Sequence, residues 1–141
     1  MRTSLKTALL ALLLASTCAA HAGDDALYHA LGDKAGVAGL MNDFVTRLKR
    51  DARTEIFFRQ TKVDGLAEVL TDQVCVLAGG PCKYEGATMA KAHADLAIGR
   101  ADFNAVVEVL QDAMDERDIP FATQNRLLAL LAPMHRNIVT R

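Results

Sequence analysis

Between Asp33 and Arg50 the apolar residues recur at helical spacing. Val37, Leu40, Met41, Phe44, Val45 and Leu48 define one stripe, while Asn42, Asp43, Arg47, Lys49 and Arg50 fall elsewhere. That pattern predicts a long amphipathic helix. Upstream, Asp24 or Asp25 can cap a short helix that Gly32 ends, and Asp33 can cap the long one. Downstream, Arg53 to Gln60 breaks the period, and the adjacent Phe57 and Phe58 predict a corner rather than another regular turn of helix. A third helix is expected from about Asp64 to Leu77, with Leu66, Leu70, Val74 and Leu77 on one face and Gly79-Gly80-Pro81 as its stop. Thr88 can cap a short segment that turns Met89, Ala92, His93 and Leu96 inward and closes at Gly99. Two more helices follow. Phe103, Val106, Val107, Leu110 and Met114 mark the first, up to Ile119-Pro120. Leu127, Leu128, Leu131 and Ile138 mark the second, from about Gln124, with Pro133 expected to bend it. Nothing sustains the alternation of a strand, and neither repeat nor linker divides the chain, so the class is all-α and one domain.

The first residues change the picture of where this domain works. Met1 to Lys6 carries two cations, Ala8 to Ala15 is apolar, and Ala19-Ala20-His21-Ala22 is small, which is the layout of a secretory signal peptide over residues 1–22. The apolar run is shorter than the roughly 20 residues that span a bilayer, so an exported product, periplasmic or secreted and off the membrane, is expected over residues 23–141. Lipoprotein processing at Cys18 is an alternative, although Ala15-Ser16-Thr17 departs from that kind of signal. Removing the leader moves the formal net charge from −1 to −3, since Arg2 and Lys6 leave with no acid. A chain of that balance is a poor partner for nucleic acid or anionic membrane. Cys75 and Cys82 remain, and they can either pair or stay as two buried thiols.

Candidate chemistry gathers in Gly79-Gly80-Pro81-Cys82-Lys83-Tyr84-Glu85-Gly86-Ala87-Thr88-Met89-Ala90-Lys91-Ala92-His93, followed by Ile98 and Phe103. This run resembles the group I truncated haemoglobins: a glycine pair with proline, a tyrosine, a glycine, a methionine, and an iron-binding histidine four residues later. Leu27-Tyr28, Leu31-Gly32, Asp43-Phe44 and Phe57-Phe58 extend the likeness over nearly the whole exported chain. The resemblance implies a two-over-two helical sandwich and one b-type haem, iron protoporphyrin IX. It makes His93 the iron ligand, with Phe44, Phe57, Phe58, Leu66, Leu70, Met89, Ile98, Phe103 and Val106 as apolar walls. Thr61, Lys62, Tyr84 and Lys91 become candidate partners of the propionates. A flat apolar disc with a metal centre needs these three things: an imidazole nitrogen, apolar walls and a polar rim.

The resemblance also implies reversible binding of oxygen, nitric oxide and carbon monoxide, and a reductase of unknown kind to restore ferrous iron. Some such proteins act as nitric oxide dioxygenases, which would make that or a peroxidase-like activity a side reaction here. Dioxygenase chemistry needs a stable oxy complex, however, and the departure described next argues against it, so a binding rather than an enzymatic role is expected. The gas side departs from the family pattern. Where many members carry a tyrosine and glutamines, this chain has Val45, Leu66 and Leu70, with Gln73 one turn further as the one polar substitute. Loss of those donors predicts weaker oxygen binding and faster release. Two other classes stay in view: an exported copper-binding module using Met89, His93 and Cys82, and a helical interaction domain without cofactor.

Overall fold

A computed structural model describes residues 25–141; the leader and Cys18 lie outside the described residues. Eight α-helices occur among them: α1 (Ala26–Ala30), α2 (Asp33–Leu48), α3 (Glu55–Phe58), α4 (Val63–Leu77), α5 (Met89–His93), α6 (Arg100–Asp115), α7 (Phe121–Leu131) and α8 (His135–Ile138). The α2 and α4 helices share the most extensive contact, α2 also lies on α6, and α6 packs on α7. The result is a two-over-two helical sandwich, with α1 on α2 and α7, and α5 against α8.

The α2 stripe is the centre of the core. Val37, Leu40, Met41, Phe44, Val45 and Leu48 are all buried, and they meet Ala67, Val74 and Cys75 of α4, Val109, Leu110, Ala113 and Met114 of α6, and Leu127 of α7. Salt links reinforce the α2–α6 face from outside: Arg47 pairs with Glu116 and Arg117 with Asp43, while Arg53 joins Asp51 and Glu108. These pairs are solvent-exposed and contribute little individually. Backbone and side-chain donors of Arg53 hold the Asp51 carboxyl down to about 2.

Several boundaries differ from the sequence pattern, each for a local reason. Asp33 does not cap α2; Gly32 does, at φ 86, a left-handed conformation that lets α1 end and α2 begin within two residues. The Asp33 carboxylate instead meets His29 Nδ1 at 2.5 Å, and this bond, with the charges of Asp33 and Asp25, raises the imidazole pKa. The corner at Arg53–Gln60 contains one helical turn, α3, because Thr54 buries its hydroxyl on the Leu48 carbonyl at 2.7 Å and anchors the turn to the end of α2. Helix α5 ends at His93, so the helical spacing no longer carries Leu96 inward, and both Ala92 and Leu96 are exposed. On α6 the fully buried residues are Ala105, Val109, Leu110, Ala113 and Met114, whereas Phe103, Val106 and Val107 are half-buried at the edge of the core. Helix α7 starts earlier than expected, at Phe121 behind Pro120, and Pro133 does interrupt the last helix, through a 3₁₀ turn at Ala132–Met134 before α8.

Candidate functional site

The segment that carries His93 is short and held from both ends. Thr88 sits in extended conformation, and its hydroxyl accepts the Lys91 N–H at 3.3 Å, capping α5 as its position in the sequence predicts. Beyond His93 the chain reverses at Ala97, which adopts φ 48 without being glycine, and this reversal buries Ile98. The Ile98 carbonyl then accepts the N–H groups of Thr140 and Arg141, and Arg141 pairs with Asp102, which itself accepts the Gly99 N–H at 2.8 Å. A left-handed non-glycine residue costs roughly 1–2 kcal/mol. The C-terminal clasp holds it where His93 leads into α6.

Upstream, Cys75 of α4 and Cys82 are joined by a disulfide across the Gly79-Gly80-Pro81 turn. A Cβ on Gly80 would stand 2.6 Å from Cys75 Sγ and from Tyr28 Cδ2, so only glycine lets the chain pass there. With its sulfur bonded to Cys75, Cys82 is no thiolate, and the copper site of Met89, His93 and Cys82 loses its third ligand.

The geometry of His93 defines its chemistry. Its Nδ1 lies 2.7 Å from the Met89 carbonyl oxygen. A carbonyl only accepts, so Nδ1 carries the proton, and a neutral imidazole then has its lone pair on Nε2. Among the described residues no hydrogen-bond partner meets Nε2. Half-buried, with one nitrogen held by a backbone carbonyl and the other bearing a lone pair, the side chain has the arrangement that lets a histidine ligate a metal.

One turn before His93, Met89 shares the Gln73 amide with Met134. Gln73 Nε2 lies 3.6 Å from Met89 Sδ and 3.9 Å from Met134 Sδ, so α4, α5 and the 3₁₀ turn meet at one point. His135 follows Met134 and stands edge-on to Phe103, their rings 4.9 Å apart. Met134 and His135 were not among the sequence candidates. The signal for Met134 was present in the spacing of Leu127, Leu131 and Met134 along one helical face, obscured by Pro133.

The apolar candidates named from the sequence fall into two groups. Phe44, Val45 and Ile98 are buried, Val45 wholly so. Phe57, Phe58, Leu66, Leu70, Phe103 and Val106 are half-buried, and Phe58, Leu66, Leu70 and Val106 pack on the core from its edge. The polar candidates are not gathered. Lys62 and Lys91 are exposed, and the Thr61 carbonyl accepts the Lys49 ammonium. The Tyr84 hydroxyl donates to the Ala87 carbonyl at 2.7 Å and so already has a partner. A separate surface groove of about 460 Å³ between α2 and α6 is walled by Arg47, Arg50, Asp112 and Glu116, and contains none of the residues around His93.

Comparison with known proteins gives a consistent result. The family model for bacterial-like globins matches residues 26–140. The group 1 truncated hemoglobin of Tetrahymena pyriformis is 25% identical over 113 residues, covering 80% of this chain and 93% of that protein. The group 1 truncated hemoglobin of Mycolicibacterium paratuberculosis is 26% identical over 114 residues, covering 81% and 84%. Among solved structures, the Fe(III) form of the Tetrahymena pyriformis truncated hemoglobin superposes with a TM-score of 0.77 at 24% identity, over 82% of this chain and 98% of that one. The 2/2 hemoglobin of Synechococcus sp. PCC 7002, in the cyanomet state and with covalently attached heme, gives 0.76 at 22% identity over the same shares. These neighbours share the two-over-two fold described above.

Proposed function

This chain belongs to the bacterial-like globin family, and on that premise we propose that it is a haem protein whose iron is held by His93 and which reversibly binds oxygen, nitric oxide and carbon monoxide. The observation that carries the reading is the hydrogen bond from His93 Nδ1 to the Met89 carbonyl, which leaves the Nε2 lone pair for a metal. The donor set fits haem. A neutral imidazole supplies the axial nitrogen, and the half-buried apolar side chains Phe57, Phe58, Leu66, Leu70, Phe103 and Val106 supply a wall that a flat apolar group can cover. Lys62 and Lys91, exposed cations on the segments flanking that wall, are the candidates to meet the propionates.

When bound, the porphyrin iron supplies the coordination position that a diatomic gas takes. The protein's own part is to orient and to exclude. The Met89 carbonyl fixes the imidazole tautomer, the Thr88 cap and the Ile98 clasp fix the segment that carries it, and the apolar side chains would shield the bound group from water. Val45 is wholly inside the core, and the half-buried Leu66 and Leu70 of α4 would make the gas side apolar, which favours carbon monoxide and nitric oxide relative to oxygen. Export is part of the same proposal: the leader pattern of residues 1–22 supports it, and the Cys75–Cys82 disulfide suits an oxidising compartment.

Titration of the purified chain with haemin tests the central assignment. An intense Soret band should develop at one equivalent, and His93→Ala should abolish or displace it. A chain that stays colourless, or a His93→Ala variant with an unaltered spectrum, would remove the proposal and favour a helical interaction domain without cofactor.

A further inference from the structure

Burial divides the methionines of the described residues sharply. Met41 and Met114 are 1% and 0% exposed in the core, whereas Met89 on α5 and Met134 in the 3₁₀ turn are half-buried and meet solvent. Both accessible sulfurs converge on one group, the Gln73 amide nitrogen of α4, at 3.6 and 3.9 Å. Gln73 is more than nine-tenths buried, and among the described residues its amide nitrogen has no oxygen acceptor. Thioethers are weak acceptors. Other buried polar side chains here do better: Thr54 donates to the Leu48 carbonyl, Thr71 to the Ala67 carbonyl, and Gln124 to Asp115 and the Ile119 carbonyl. Burying an amide without a good acceptor is unfavourable, and such groups are few in folded proteins.

The chemistry of the two sulfurs supplies the missing acceptor. Oxidation converts a methionine thioether to a sulfoxide, a polar group whose oxygen is carried on the sulfur itself. With hydrogen peroxide, a sulfur lone pair forms the S–O bond as the O–O bond breaks. Sulfur gives up two electrons, and the departing hydroxide takes the proton left on the transferred oxygen and leaves as water. We propose that Met89 and Met134 form a site of reversible oxidation by hydrogen peroxide, poised so that the sulfoxide oxygen accepts the Gln73 amide. In an ordinary apolar setting a sulfoxide disrupts packing; here it meets a buried donor that lacks a partner. The effect extends to His93. The Met89 carbonyl holds His93 Nδ1 at 2.7 Å, so drawing the Met89 side chain onto Gln73 alters the setting of the imidazole. The inference stands on the thioethers and the amide and does not depend on the haem reading given under Proposed function.

Graded hydrogen peroxide, applied to the purified protein under carbon monoxide so that any bound iron is occupied, tests the site in two ways. Peptide mass spectrometry should show Met89 and Met134 converted to sulfoxide about 10-fold or more faster than Met41 and Met114, whose oxidation waits on opening of the core. A methionine sulfoxide reductase supplied with a dithiol should reverse the change. By NMR, the Gln73 side-chain amide protons should move downfield on oxidation and exchange with solvent roughly 3- to 10-fold more slowly, the change that one neutral hydrogen bond brings. The His93 ring nitrogens should shift with them. Oxidation of Met41 and Met114 as fast as Met89 and Met134 overturns the inference, and so do Gln73 amide protons that oxidation leaves unchanged. Failure to bind haemin would remove the haem reading and leave both of these results as they are.

Discussion

Gly32 illustrates how a single residue sets the geometry of the core. At φ 86 it turns the chain between α1 and α2, and a Cβ there would also come within 3.2 Å of the Gly36 backbone. Gly32→Ala should therefore destabilise the fold by more than about 1 kcal/mol, through left-handed strain as well as contact. Chemical denaturation checks this, and an unchanged midpoint would contradict it. The residue scale is also where sequence pattern reads least well. Histidine four residues after methionine was visible at His93, and the wall candidates were named from apolar type and spacing. The bond from His93 Nδ1 to the Met89 carbonyl was not legible, because tautomer choice depends on backbone atoms that composition does not describe. Gln73 was legible as a polar interruption of an apolar stripe, but its two sulfur neighbours come from elements 16 and 61 residues away in sequence.

At the scale of elements, α5 and its connections decide whether His93 is held. The disulfide between Cys75 and Cys82 closes a short loop with a sequence separation of 7, joining the end of α4 to the segment that leads to α5. In the chain-entropy account such a loop contributes about 2–3 kcal/mol. Cys75→Ala with Cys82→Ala should lower stability by that amount and lower the thermal midpoint, as a reductant should in the wild type. Equal midpoints before and after reduction would show that the link adds nothing. Element existence was well marked in the sequence, since apolar periodicity and the Gly79-Gly80-Pro81 stop outline α2 and α4. Ends were less so. Asp33 looks like a cap but engages His29, and Leu96 looks inward only if α5 continues past His93, which the reversal at Ala97 prevents.

For the whole molecule, the two-over-two sandwich explains why so small a chain leaves apolar side chains half-buried. The α2 stripe saturates the core, while Phe57, Phe58, Leu66, Leu70, Phe103 and Val106 remain at its edge on several different elements. Periodicity alone would place Phe103 and Val106 inside with Leu110; packing instead gives the interior to Ala105, Val109 and Ala113, whose smaller side chains let α6 approach α2. The architecture followed from the family likeness, whereas helical content followed from the pattern. Which apolar side chains stay at the edge of the core emerged only when the helices were assembled.

The most direct test of the account is the iron–imidazole bond. In the ferrous, gas-free protein, resonance Raman spectroscopy should show an iron–histidine stretch that disappears in His93→Gly and returns when free imidazole is added. A stretch that persists in His93→Gly without imidazole would mean that another side chain holds the iron, and would contradict the assignment.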